Sequence, residues 1–149
     1  MADPIGTSSA VLALAIFAFD AAASLIQTLD NFGNFLDAIA TLKKELRDLQ
    51  QALVFLRETI SKNEEGFLFL KPYLSTCLTE CGRFQVLVNK YTEHSTPSKT
   101  SKRDFMKFKF KENKIVELRD LLSRHKTTIL LAIAGVNLYG SRYFISTKC

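Results

Sequence analysis

The sequence predicts an all-α protein, a helical bundle of four to five helices opened by an apolar N-terminal helix. Three observations carry that prediction. Apolar residues recur in steps of three and four along separate stretches of the chain, the period of helices that bury one stripe. Only three prolines and six glycines occur in 149 residues, so few breakers interrupt these stretches. One short run alternates with period two, and a lone strand with nothing to pair with is not stable. A chain of this length is expected to form one domain with a real core.

The first element spans about residues 5–29. Ala10 to Phe19 reads AVLALAIFAF, ten residues without a polar side-chain atom. On a helical wheel Val11, Leu14, Ala18, Leu25 and Leu29 share one face, and Leu12, Ile16, Phe19, Ala23 and Ile26 share the opposite one. Asp20, Ser24, Gln27 and Thr28 form a polar stripe confined to the second half. A helix apolar all round must be buried, either in protein or in lipid. A secretory signal would need a basic n-region, and Met1 to Ser9 offers Asp3 and no basic side chain. A permanent transmembrane span would need roughly 20 apolar residues. Asp20 inside it would cost about 2.5–3.5 kcal/mol on the insertion scale. That balance is marginal, which suits a segment that changes its surroundings.

The second element carries a seven-residue repeat. Phe32, Phe35, Ile39, Leu42, Leu46, Leu49, Leu53, Leu56 and Ile60 alternate in steps of three and four without a break. Lys43, Lys44, Glu45, Arg47, Asp48, Gln50 and Gln51 fill positions between them. The pattern predicts one long amphipathic helix with a narrow apolar seam. Asp30 or Asn31 is placed to cap its start, and residues 63–66 to end it. Leu36, Val54 and Phe55 widen the stripe, which favours a bundle over a lone coiled coil.

The third element repeats the device with Phe67, Leu70, Leu74, Cys77, Cys81, Phe84, Val88 and Tyr91. Pro72 lies near its start, so a helix either begins or kinks there. Residues 93–102, EHSTPSKTSK, read as a loop. Residues 105–111, FMKFKFK, hold the period-two run and are read as helix for want of a partner strand. From Ile115 the helical period is clean through Leu118, Leu122, His125, Ile129, Ala132 and Val136. His125 falls on that seam and reads as a core histidine with one satisfied nitrogen. The bundle is therefore expected to occupy residues 1–136, with residues 137–149 left as an unassigned tail.

Charge is unevenly spread. Residues 1–42 hold four acids and no base, so they carry −4, and the remainder carries +9 of the chain's net +5. Between Lys99 and Lys126 lie ten bases and four acids. A basic half beside an apolar terminus points to acidic surfaces or lipid, against the plain alternative of a solvated basic face. Three cysteines are too few, and odd in number, for a disulfide framework. Cys77 and Cys81 stand four apart on one helix face, where side chains do not readily reach disulfide geometry. With only His94 and His125 as further ligands, a zinc site is not expected. Small buried thiols in a reducing compartment are the expected role. No acid pair, Ser/His/Asp set or phosphate loop appears, so the chain is not read as an enzyme and no cofactor is assigned. The Phe/Lys run could stack on bases, but its phenylalanines are wanted for the core, and nucleic acid is not an expected partner.

Several of these residues also carry a resemblance. The opening MADPIGTSSAVLALA, the long heptad helix and Cys77-x-x-x-Cys81 followed by Phe84 form its first half. Arg103-Asp104-Phe105 and Arg124-His125-Lys126-Thr127-Thr128-Ile129 complete it. In this order and spacing they resemble the N-terminal domain of fungal STAND (NLR-type) proteins, the HeLo-like group. The resemblance spans about residues 1–136. It implies a helical bundle that executes regulated cell death, in which oligomerisation frees an N-terminal helix to attack a membrane. The chain departs from such receptors in having no G-x-x-x-x-G-K-[ST] nucleotide-binding motif.

On this reading Val11, Leu12, Leu14, Ile16, Phe17 and Phe19 insert into the bilayer. Asp20 lines a pore or holds the resting bundle shut. Lys107, Lys109, Lys111 and Lys114 meet anionic headgroups, at about 1 kcal/mol per base near the surface. The partners would be further copies of the chain, anionic membrane lipids and a STAND-type receptor or adaptor. The protein would wait in the cytoplasm and move to the plasma membrane on activation. The rival reading is a soluble interaction module that signals by homotypic or adaptor contacts, with its first helix always buried.

Overall fold

A computed structural model describes residues 6–32, 37–62, 64–91 and 112–148. It contains helices α1 (Gly6–Phe32), α2 (Asp37–Ile60), α3 (Lys71–Tyr91) and α4 (Glu112–Lys148). A short 3-10 helix, Glu65–Leu70, runs directly into α3. No strand occurs among the described residues. The all-α bundle and its apolar first helix are thus as the sequence predicts.

α1 packs extensively against both α3 and α2, and α2 packs on α4. α3 and α4 touch only lightly, so the ring α3–α1–α2–α4 has one thin seam. A four-residue connection makes α1 and α2 antiparallel neighbours. Two cross-links follow that geometry. Asp30 near the end of α1 meets Lys43 near the start of α2, and Gln50 Nε2 donates to the Phe19 carbonyl at 3.4 Å further along.

The heptad seams become the core. Ile39, Leu42, Leu46, Leu49, Leu53, Leu56 and Ile60 of α2 are buried. So are Phe67 and Leu70 of the 3-10 helix and Leu74, Cys77, Cys81, Phe84 and Val88 of α3. α4 contributes Ile115, Leu118, Leu122, Ile129 and Ala132. Pro72 lies in the first turn of α3, at its junction with the 3-10 helix, so it marks the start of an α-helix rather than a kink inside one.

Three details differ from the sequence reading. The second helix begins at Asp37 rather than just after Asp30 or Asn31, because α1 runs on to Phe32. Asp30 therefore does not cap α2. Phe55 is half exposed and does not widen the α2 seam; Ala52 is buried instead. Lys43, expected in solvent, is 5% exposed.

α4 has 37 residues against 24 in α2, so it is about 20 Å longer than the helix it packs on. The residues after Val136, which the sequence pattern leaves unassigned, continue its helical backbone to Lys148. The loop expected at 93–102 and the helix expected at 105–111 lie outside the described residues.

Candidate functional site

The face of α1 that points away from the bundle is the most unusual surface on the molecule. Its inner stripe is Val11, Ala15, Ala18, Ala22, Leu25 and Leu29, all buried. Four residues of this stripe are small or β-branched, so α1 lies close against α2 and α3. Its outer face has two halves. Ala13 and Ile16 are half-buried, and Phe17 stands 54% exposed. Further along, Asp20, Ser24 and Gln27 are exposed and supply the polar stripe. Thr28 folds its hydroxyl back on the helix, donating to the Ser24 carbonyl at 3.0 Å.

Residues Ala10–Asp30 form a helix long and apolar enough to cross a membrane; six of them are fully buried, ten half-buried and five exposed. The six proposed insertion residues divide accordingly. Val11 lies in the core. Leu12, Leu14 and Phe19 are half-buried and pack against that core, and Ile16 is half-buried. Phe17 alone of the six is exposed. Asp20 is exposed and forms no ion pair among the described residues.

A shallow groove of about 460 Å³ runs between α1 and α2, floored by Phe19, Ala23, Ile26 and Val54. A second, of about 320 Å³, follows the thin α3–α4 seam over Phe84, Leu87, Leu118 and Leu121. Both are open troughs without convergent catalytic groups. No cluster of three metal-ligating side chains forms among the described residues.

Basic residues were expected to provide a lipid-facing patch. Lys107, Lys109 and Lys111 lie outside the described residues. Lys114 is exposed at the rim of the α3–α4 groove, 3.6 Å from Glu117. Such a pair on one helix surface is weak and leaves the ammonium available.

Two lysines form ion pairs between helices among the described residues, and sequence inspection missed both. Lys43 Nζ donates to Asp30 Oδ1 at 2.8 Å, tying α2 to α1. Lys126 of α4 lies 2.7 Å from Glu45 and 3.9 Å from Asp48, tying α4 to α2. The Glu45 contact is off the hydrogen-bonding direction and so acts as Coulomb attraction. The remaining pairs, such as Lys44–Asp48 and Glu80–Arg83, lie within single helices and are exposed.

Cys77 and Cys81 are free and buried, on α3, the helix that packs chiefly on α1. Burial pushes both thiols up to about 12, with Cys77 and then Glu80 adding to the shift at Cys81. Thiols held neutral in this way are poor nucleophiles at neutral pH. His125 stacks edge-on against Tyr73, with ring centres 5.4 Å apart, and is half-buried rather than fully in the core. Burial, and then the neighbouring Arg124, lowers its pKa from the usual histidine range.

No curated protein and no solved structure matches the chain. The family model described as "Pigment biosynthesis cluster protein PigL N-terminal" matches residues 2–146. The chain accordingly belongs to this family of PigL N-terminal domains, a fungal HeLo-like family.

Proposed function

We propose that this domain executes regulated cell death by releasing α1 from the bundle into a membrane. One observation carries the reading: a helix able to span a bilayer is held by the bundle along one fully buried stripe and keeps apolar side chains, Phe17 foremost, on its outer face. The polar stripe adds little resistance. Thr28 already satisfies its hydroxyl within the helix, and Asp20 is the main cost of insertion.

Oligomerisation follows from the packing. When α1 leaves, the apolar faces of α2 and α3 that it covered are bare, and further copies of the chain are the natural cover. The basic side chains around Lys107, Lys109, Lys111 and Lys114 would draw this assembly to anionic lipid, moving it from the cytoplasm to the plasma membrane. A STAND-type receptor or an adaptor would supply the trigger.

A second reading keeps α1 in place. Its inner stripe is as fully buried as that of α2, which favours a soluble module signalling by homotypic or adaptor contacts. Phe17→Lys separates the two. Phe17 is exposed in the resting fold, so lysine is tolerated there. In the bilayer the same lysine costs about 3 kcal/mol. Dye release from anionic liposomes is expected to collapse in the variant while its circular dichroism and melting stay those of the parent. Undiminished leakage, or no leakage by the activated parent, would favour the soluble module.

A further inference from the structure

We infer that the Asp30–Lys43 pair is the latch that holds α1 in the resting bundle, an inference that rests on the release of α1 proposed above and names its regulation. Lys43 is the sole charged or polar residue counted in the core among the described residues, at 5% exposure. Its ammonium meets one carboxylate there, Asp30 Oδ1 at 2.8 Å. Asp30 belongs to α1, the helix proposed to leave, and Lys43 belongs to α2, the helix that stays.

The two partners are unequally placed. The Lys43 side chain is 7% exposed and that of Asp30 is 49% exposed. Removing Asp30 therefore strands a buried cation, whereas removing Lys43 leaves a carboxylate that water already reaches. A buried charge without its partner destabilises the arrangement that buries it. Here that arrangement is the docking of α1 on α2. Undocking relieves the stranded cation because it opens Lys43 to water. α4 has its own tie to α2 through Lys126 with Glu45 and Asp48, so loss of Asp30 loosens α1 selectively.

The protein carries a native reporter of this event. Cys77 and Cys81 are buried on α3, the helix that packs chiefly on α1, so undocking of α1 is expected to raise their labelling rate. The test labels the full-length chain with maleimide in the absence of lipid and reads Cys77 and Cys81 by peptide mass spectrometry, apart from Cys149. Four proteins are compared: parent, Asp30→Asn, Lys43→Met and the double variant. Asp30→Asn is expected to label about tenfold faster or more, a figure kept low because Asp30 is half in solvent. Lys43→Met is expected to label no faster than the parent. The double variant is expected to return to the parent rate, because methionine leaves no charge to strand.

Labelling of Asp30→Asn at the parent rate would overturn the latch. So would a double variant as fast as Asp30→Asn. If Asp30→Asn unfolds throughout, rescue by the double variant supports the latch and lack of rescue overturns it. A parallel liposome leakage assay separates this inference from the functional reading. Faster labelling with faster leakage supports both. Faster labelling without added leakage supports the latch and removes the membrane role.

Discussion

α1 and α2 bury similar stripes and differ in what they show to the outside. Each holds its neighbours through a heptad row with no solvent access, Val11 to Leu29 in one and Ile39 to Ile60 in the other. Behind its row α2 carries Lys44, Arg47, Asp48 and Gln51, which water solvates. Behind its row α1 carries Ala13, Ile16 and Phe17 before the polar stripe begins at Asp20. The stripe decides where a helix rests, and the opposite face decides where else it is stable. Outside the bundle α2 has only water available to its polar face, while α1 has lipid.

The comparison breaks most sharply at the seams. Leu49→Ala or Leu53→Ala in α2 should cost about 2–5 kcal/mol, as should Leu25→Ala in α1, because each leaves a cavity at a fully buried site. Urea unfolding of the three variants measures this. A much smaller loss for Leu25 than for the α2 leucines would mean that α1 is only loosely part of the resting core.

The outer faces should respond far less. Phe17→Ala and Lys44→Ala should each stay within about 0.5 kcal/mol of the parent in the same unfolding experiment. Phe17 is the larger side chain, but 54% of it is already in water. Lys44 loses one exposed pair to Asp48 at 3.0 Å. A large loss at Phe17 would show that its ring is needed by the resting fold and would weaken its use as an insertion probe.

Beneath α1 the thiols sharpen the contrast chemically. With pKa values near 12, Cys77 and Cys81 should stay unreactive toward disulfide reagents at neutral pH in the native state and react promptly in denaturant. Reaction of either thiol in native resting protein would show that α1 already opens without a trigger.

The smallest effect concerns α4. His125 has its pKa lowered in the folded state by burial and by Arg124, so the unfolded chain binds the proton more readily. Its contribution to stability is complete above the unfolded value of about 6.5 and is lost as pH falls through the lower folded value. The melting temperature should therefore fall less steeply between about pH 7 and pH 5 in His125→Gln than in the parent. Parallel slopes would assign the acid sensitivity to other groups.

Much of this architecture is legible in the sequence because heptad spacing reports burial directly. The row from Phe67 to Val88 appears in the core as spaced, including both cysteines, and the paucity of polar groups in α1 is visible by eye. What escapes is decided by neighbours rather than by period. The start of α2 at Asp37 hides in an unbroken rhythm, although Gly33 and Asn34 are turn formers. Lys43 looks like any lysine beside a seam until Asp30 is brought to it from another helix. Phe55 looks like a core residue until no partner covers it. The apolar residues of α1 announce a conflict between water and lipid, but only packing shows that Val11 faces inward and Phe17 outward.

The central claim, that α1 leaves the bundle for lipid, is tested most directly at Phe17. The chain contains no tryptophan, so Phe17→Trp introduces a single tryptophan at an exposed site, which can be excited selectively over the four tyrosines. Its emission is recorded before and after activated protein is mixed with anionic vesicles, some carrying bromine on their acyl chains. The account predicts a blue shift on mixing and strong quenching by the brominated chains. A tryptophan that keeps its aqueous emission and escapes quenching while the vesicles leak would contradict it.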